Sequence, residues 1–350
     1  MTPAVTFAVP GSLATPTGGY AYDRRVIAEL KMLGCGVDVV DLGDGFPRPS
    51  QDTRIRAQAA LAGVPEGRLI IVDGLALGVL PEAAEALQTT HRLIALVHHP
   101  LALETGMPAA DADALRGSER AALAAVRHVI VSSPTTARLL IEGYGVADSS
   151  VTIACPGTDR ALRVAARRAG PMRLLAVGSL VPRKGYDVLL SALAQLADLD
   201  WRLTIVGDGS RSPSTSREIE GQIIALGLGF RVTLAGAVAS ERLASFYAVA
   251  DVFVLASRYE GYGMAFAEAI AHGLPVVGTT AGAIPETVPE DTGILVSPDD
   301  VPALTSALRS LISDGELRGR LASSSWKAAD SLPTWQATAQ AFLHVLRTVA

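Results

Sequence analysis

Short unbroken apolar runs and longer amphipathic stretches alternate along most of the chain. The runs at residues 5–9, 37–42, 69–72, 93–97 and 129–132 read as buried strands, and helical periodicity fills 22–33, 52–62, 81–88, 112–126 and 134–143 around them. The pattern then repeats, with strands at 173–177, 202–206, 232–234, 252–255 and 276–278 and helices at 186–196, 216–226, 241–248 and 263–271. Apolar strands that alternate with helices belong to parallel, doubly wound sheets, whose ligands lie at the carboxyl ends of the strands. The prediction is an α/β chain of two Rossmann-like domains, 1–165 and 166–333, divided within a basic, apolar-poor linker at 159–171. Residues 334–350 add one more amphipathic helix, with Trp335, Phe342, Leu343 and Leu346 on or near one face.

Composition adds little to the fold but narrows the function. A chain of 350 residues is long enough for two cores, and 49% hydrophobic residues with only 5% aromatics suit Ala-rich helices over parallel strands. A net charge of −5 offers no basic face for nucleic acid. Residues 1–168 hold 17 acids against 16 bases, so the first domain has no cationic surplus for an anionic membrane. With no basic leader and no apolar run of membrane-spanning length, the expectation is a cytoplasmic protein without a transmembrane segment, at most peripheral at the inner face of a membrane. Cys35 and Cys155 lie far apart in sequence and read as reduced structural thiols.

The densest chemistry lies between Asp251 and Glu286. A short strand, a glycine-punctuated turn and a helix follow one another, with Glu260 in the turn and Glu268 inside the helix. A helix N-terminus behind Gly261 and Gly263 offers backbone N–H groups and a positive dipole end to a diphosphate. The flanking carboxylates can accept hydrogen bonds from sugar hydroxyls. Together these contacts suit a nucleotide-sugar.

This stretch resembles the E-x7-E signature of the retaining glycosyltransferases of family 4. Glu260 and Glu268 supply its two acids, and Gly261-Tyr262-Gly263-Met264 stands where the family usually has Gly-Phe-Gly. Downstream, the segment from Ala281 to Glu286 stands where the family usually reads G-G-x-x-E, with one glycine replaced by alanine. The resemblance implies a GT-B fold, an acceptor domain and a donor domain facing a central cleft, with the tail helix packing back on the first domain. It also implies that Glu260 holds the sugar and Glu268 the ribose.

Further motifs fit the same frame. After the strand at 173–177 come Gly178 and then Arg183-Lys184. Arginine's fork and lysine's compact charge can neutralise a leaving diphosphate, and the family's phosphate-binding cations occupy this motif. Gly207 matches the family's turn under the nucleotide, although a plain tight turn explains it equally well. Val238 ends a segment whose family counterpart lies against the base. In the first domain, the resemblance places a loop at Gly18-Gly19 near the donor phosphates and a histidine near the reacting sugar, where His98 is preferred and His99 competes. Tyr20, Asp73, His99 and Glu104 are weaker candidates for acceptor contact.

Two patterns point elsewhere and are set aside. Asp111 and Asp113 have the D-x-D spacing of metal-dependent transferases of another fold, but they open an Ala-rich helix, where acids cap and favour the dipole. No His/Cys/Asp grouping has zinc spacing, so neither metal nor other cofactor is expected, and Arg183 and Lys184 would supply the positive charge. Ser132-Ser133 and Ser179 lack a nucleophile-elbow frame. The expected activity is transfer from a nucleotide diphosphate sugar, UDP in preference to GDP, by metal-independent same-face attack that retains configuration. The acceptor, whether small molecule, glycan or lipid-linked, and the oligomeric state are not legible. Alternatives are an epimerase, hydrolase or sugar phosphorylase on the same fold, or a non-catalytic nucleotide-sugar binding module.

Overall fold

The computed structural model describes residues 4–161 and 170–350. The chain divides into two compact units, one of Met1–Thr15, Gly19–Gly157 and Pro333–Ala350, the other of Pro16–Gly18 and Thr158–Leu332. The boundary expected at 165/166 falls outside the described residues, as does most of the expected linker.

The first unit is built on strands β1 (Ala4–Val9), β2 (Gly36–Asp41), β3 (Leu69–Asp73), β4 (Arg92–Val97), β5 (His128–Val131) and β6 (Val151–Ile153). They form one parallel sheet in the order β2-β1-β3-β4-β5-β6. Its inner strands are apolar on both faces: Phe7, Ile70, Ile71, Ile94 and Ile130 are all fully buried. The second unit repeats the design with β7 (Met172–Val177), β8 (Trp201–Val206), β9 (Val232–Gly236), β10 (Val252–Val254), β11 (Val276–Thr279) and β12 (Gly293–Val296). Its parallel order is β12-β11-β10-β7-β8-β9. In each sheet the strand order reverses beside the first strand, the place where such folds bind ligands.

The structure departs from the sequence reading in several places. The edge strands β6 and β12 are additions. Helices Val301–Ser313 and Gly315–Ala328 are also additions, capped by the Asp300 and Asp314 carboxylates on the N–H groups of Ala303 and of Glu316 and Leu317. The expected Gly18-Gly19 loop is instead the start of helix Gly18–Met32. Finally, Asp111 and Asp113 do not cap: helix Ala109–Ala124 starts after Pro108 without a side-chain cap, while Asp111 pairs with Arg48 at 3.1 Å and Asp113 with Arg116 at 2.9 Å.

The tail helix Trp335–Val349 belongs to the first unit. Thr334 caps it on the Ala337 N–H, and Thr338 donates to the Cys155 carbonyl at 2.7 Å. Trp335 and Phe342 meet the fully buried Tyr22 ring at centroid distances of 5.9 and 6.2 Å. A Cβ on Gly157 would sit 2.2 Å from the Trp335 nitrogen, so only glycine permits this approach. Cys35 is buried and Cys155 half-buried.

Candidate active site

The second unit gathers Arg183, Lys184 and Glu260 at one point. β7 ends at Val177, and Gly178 carries the chain into a turn that closes at Gly185 (φ +63). There a Cβ would collide with the Ala256 carbonyl. Lys184 Nζ lies 2.6 Å from Glu260 Oε1, and Arg183 Nη1 lies 3.4 Å from Oε2 and donates to the Tyr259 carbonyl at 2.7 Å. Ser257 adds a hydroxyl hydrogen bond to Oε1 at 2.6 Å. Burial alone would raise the Glu260 pKa, but the charges of Lys184 and Arg183 outweigh it and hold the carboxyl down at about 2. Glu260 is therefore a buried, ionised carboxylate.

Glycines make this convergence possible. A Cβ on Gly178 would lie 2.9 Å from Lys184 Cε, and one on Gly207 would lie 1.8 Å from the Gly178 carbonyl oxygen. Gly207 thus lets the loops after β7 and β8 meet, which is the tight-turn role. Gly282 (φ +57) does the same beneath the acid, where a Cβ would lie 2.3 Å from the Glu260 carbonyl oxygen. Val238, two residues beyond β9, is half-buried against the unit's core.

Past Glu260, Gly261 and Tyr262 lead to Gly263 (φ +93), which opens helix Met264–Ala271 without a side-chain cap. Phe266 and Ala267 N–H groups turn back to the Gly263 carbonyl, so those of Met264 and Ala265 are the ones left at the positive end of the helix. Thr287 fixes the turn by donating to the Tyr262 carbonyl at 2.6 Å. Glu268 follows one turn into the helix and accepts the Tyr247 hydroxyl at 2.8 Å. Burial pushes the Glu268 pKa up to about 7, with Tyr247 opposing.

Two positions that the sequence reading did not select support this group. Tyr247 is buried, stacks on His272 at 4.9 Å and orients Glu268. Arg258 bonds Asp187 through Nη1 and Nη2 at 3.0 and 2.6 Å, Asp299 at 2.7 Å and the Pro182 carbonyl at 2.7 Å. Its own N–H donates to the Arg183 carbonyl, so Arg258 pins the turn that carries both cations. The periodicity of helix Ser240–Val249 accounts for Tyr247 as a core residue, and nothing local singles out Arg258.

The first unit brings His98 and Asp73 together at the ends of β4 and β3, and adds Asp23 from helix Gly18–Met32. His98 Nε2 is 3.4 Å from Asp23 Oδ1 and 3.8 Å from Asp73 Oδ2. Asp23 is wholly buried and Asp73 nearly so. Asp73 also caps the Leu75 N–H at 2.7 Å. Burial would lower the His98 pKa, but Asp23 and Asp73 reverse this and raise it. Among the described residues this is the group of three His, Cys, Asp or Glu donors gathered within 4.8 Å, a spacing that sequence order hid because the three come from separate elements. A Cβ on Gly19 would touch the His98 ring at 3.5 Å, which ties the glycine pair to the histidine. His99 turns to Glu104 at 3.3 Å, away from this group, and the Tyr20 hydroxyl donates to the Pro10 carbonyl.

Comparison with known proteins accords with this geometry. The family described as "Glycosyl transferases group 1" matches residues 171–314, the part of the second unit that carries Arg183, Lys184, Glu260 and Glu268. The chain is 30% identical to an MMP alpha-(1->4)-mannosyltransferase of Mycolicibacterium hassiacum over 84% of its own length and 74% of that protein. It is 30% identical to a mannosylfructose-phosphate synthase of Agrobacterium fabrum over 61% of its length, and there the match spans about half of the relative, 51%. The structure superimposes on Anabaena HepE in complex with UDP and glucose with a TM-score of 0.79, over 98% of this chain and 99% of that one, at 19% identity. The two parallel six-stranded sheets are those of the GT-B fold. The chain belongs to the group 1 family of glycosyl transferases.

Proposed function

We propose that the protein moves a sugar from a nucleotide diphosphate sugar to an acceptor with retention of configuration, as a family 4 enzyme that needs no divalent metal. The observation that carries this reading is the meeting of Arg183, Lys184 and Glu260 beside the uncapped start of helix Met264–Ala271. Breaking the anomeric C–O bond builds negative charge on the diphosphate and positive charge on the sugar ring. Preorganised cations and helix N–H groups stabilise the first, which is usually the largest catalytic contribution. Glu260, ionised in its buried site, faces the second. Glu268, held by Tyr247, serves the ribose. Residues 166–333 would bind the donor, and the first unit, with His98, the acceptor side.

UDP is the proposed nucleotide, on the likeness to a fold neighbour solved with UDP. A hydrolysis and calorimetry screen of UDP- and GDP-sugars decides the point: a UDP-sugar should bind and turn over slowly without an acceptor. Arg183→Ala and Lys184→Ala should each cut turnover by about 10²-fold or more, the range for losing one preorganised electrostatic contact. Near wild-type rates in both variants would remove the cations from the mechanism.

A further inference from the structure

The group at Asp23, Asp73 and His98 poses an electrostatic problem that its residues must solve. Two carboxylates are buried together, and neither pairs with a lysine or arginine among the described residues. Neither Asp23 oxygen makes an aligned hydrogen bond, and neither does His98 Nε2, although the ring nitrogen stands 3.4 Å from Oδ1. Two uncompensated negative charges in a dry site are strongly unfavourable, so protons must enter the group. Among the described residues His98 is the basic side chain within reach.

We propose that Asp23 and Asp73 are positioning residues that keep the His98 imidazole protonated, with Nε2–H turned toward Asp23, so that the ring offers Nδ1–H to its ligand as a donor and never as an acceptor. This rests on the reading of the chain as a sugar transferase. With one proton on the ring and a second on Asp73, whose pKa burial and the Asp23 charge both raise, the three side chains sum to zero charge. A ligand group facing the ring then has to carry lone pairs, as a sugar hydroxyl or phosphate oxygen does, and an ammonium is excluded.

Every element around the ring agrees with a fixed orientation. Tyr22, from the same helix as Asp23, meets it edge-on at 5.1 Å, and Gly19 lies against its Cδ2–Nε2 edge. From the end of β5, the Ser132 hydroxyl holds the His98 carbonyl at 2.9 Å. The neighbouring titratable groups point elsewhere: His99 pairs with Glu104, and Cys155 lies beside Tyr22.

NMR titration of the His98 imidazole in the full chain tests this with no donor or acceptor present. In the wild type, with EDTA, the midpoint should lie above the ordinary value of about 6.5. Asp23→Asn should lower it by about one pH unit or more, a tenfold loss of proton affinity, and Asp73→Asn should lower it as well. A wild-type midpoint at or below the ordinary value overturns the proposal, as does a midpoint that neither variant moves. Stoichiometric binding of added Zn²⁺ that shifts the His98 signals, and is lost in Asp23→Asn, would also overturn it by making the group a cation site. Should Asp23→Asn not fold, the wild type and Asp73→Asn still decide. A sound titration with no turnover of any nucleotide-sugar would fault the transferase reading and leave this one standing. Where turnover is measurable, its fall at high pH should track the His98 midpoint and move to lower pH in Asp23→Asn.

Discussion

At the residue scale, the two acids of the second unit share a sequence signature but differ in electrostatic state. Glu260 is held ionised down to about pH 2 by Lys184 and Arg183, so its folded pKa lies below the unfolded value near 4.3. Its stabilising contribution is present above the unfolded pKa and is lost as pH falls from there through about 2. Glu268 runs the other way: at about 7 its folded pKa is raised, so ionising it weakens the fold as pH climbs from about 4.3 to 7. A carboxylate that grips both ribose hydroxyls must be ionised, so nucleotide diphosphate affinity should weaken below about pH 7. Glu268→Gln should weaken binding most above about pH 7, converge on the wild type at lower pH and so flatten that dependence. Because the phosphates titrate nearby, calorimetry should compare wild type and variant between about pH 5.5 and 8. Glu260→Gln should keep product affinity and lower kcat, since its interaction matters most in the transition state. If Glu260→Gln loses the nucleotide while Glu268→Gln keeps it, the two roles are reversed.

At the element scale, function depends on how the turn Pro182–Lys184 is held. It spans one short 3₁₀ turn and has no hydrophobic face of its own, so Arg258 supplies the restraint through Asp187, Asp299 and the Pro182 carbonyl. Arg258→Met keeps the side chain's length and removes those bonds. Turnover should fall about tenfold with nucleotide affinity less affected, since misplacing the cations harms the transition state first. Stability should drop by about 1–2 kcal/mol, the range for a few partly exposed hydrogen bonds. Unchanged kcat in this variant would show that the turn holds itself.

The same scale shows what could be read from sequence. Fully apolar runs such as 69–72 and 93–97 were legible because burial on both faces leaves no polar position to blur the run. β6 and β12 were not, since edge strands of three and four residues, half-exposed, have too little apolar length to stand out. Helix Val301–Ser313 does carry a 3.6-residue stripe of Leu304, Ala307, Leu308, Leu311 and Ile312, but no site motif drew attention to it. In the site, Arg183, Lys184 and Glu260 could be found because motifs flank them, and the structure brings them together. Asp23 could not, because its partners lie 50 and 75 residues on and only the sheet order joins them.

At the scale of the whole molecule, the chain leaves the first unit at Gly157 and returns to it at Pro333, so the tail helix completes a core begun by residues more than 300 positions earlier. Trp335, Phe342 and Leu346 are buried there, and Tyr22 joins the Trp335 and Phe342 rings to His98 through successive ring contacts. The nucleotide-binding residues proposed here, Arg183, Lys184, Glu260 and Glu268, all lie in the other unit. Phe342→Ala should therefore separate the two. Removing a fully buried phenylalanine costs about 3–5 kcal/mol through lost transfer energy and the cavity left behind. Hydrogen exchange should show faster opening of helices Gly18–Met32 and Trp335–Val349, while β7, β10 and helix Met264–Ala271 keep their protection. Nucleotide diphosphate affinity should stay within about twofold, yet turnover should fall, because the loosened Tyr22 no longer fixes the His98 ring. Affinity that fell in step with stability would mean that the first unit takes part in holding the nucleotide, and the assignment of donor binding to the second unit alone would have to be given up.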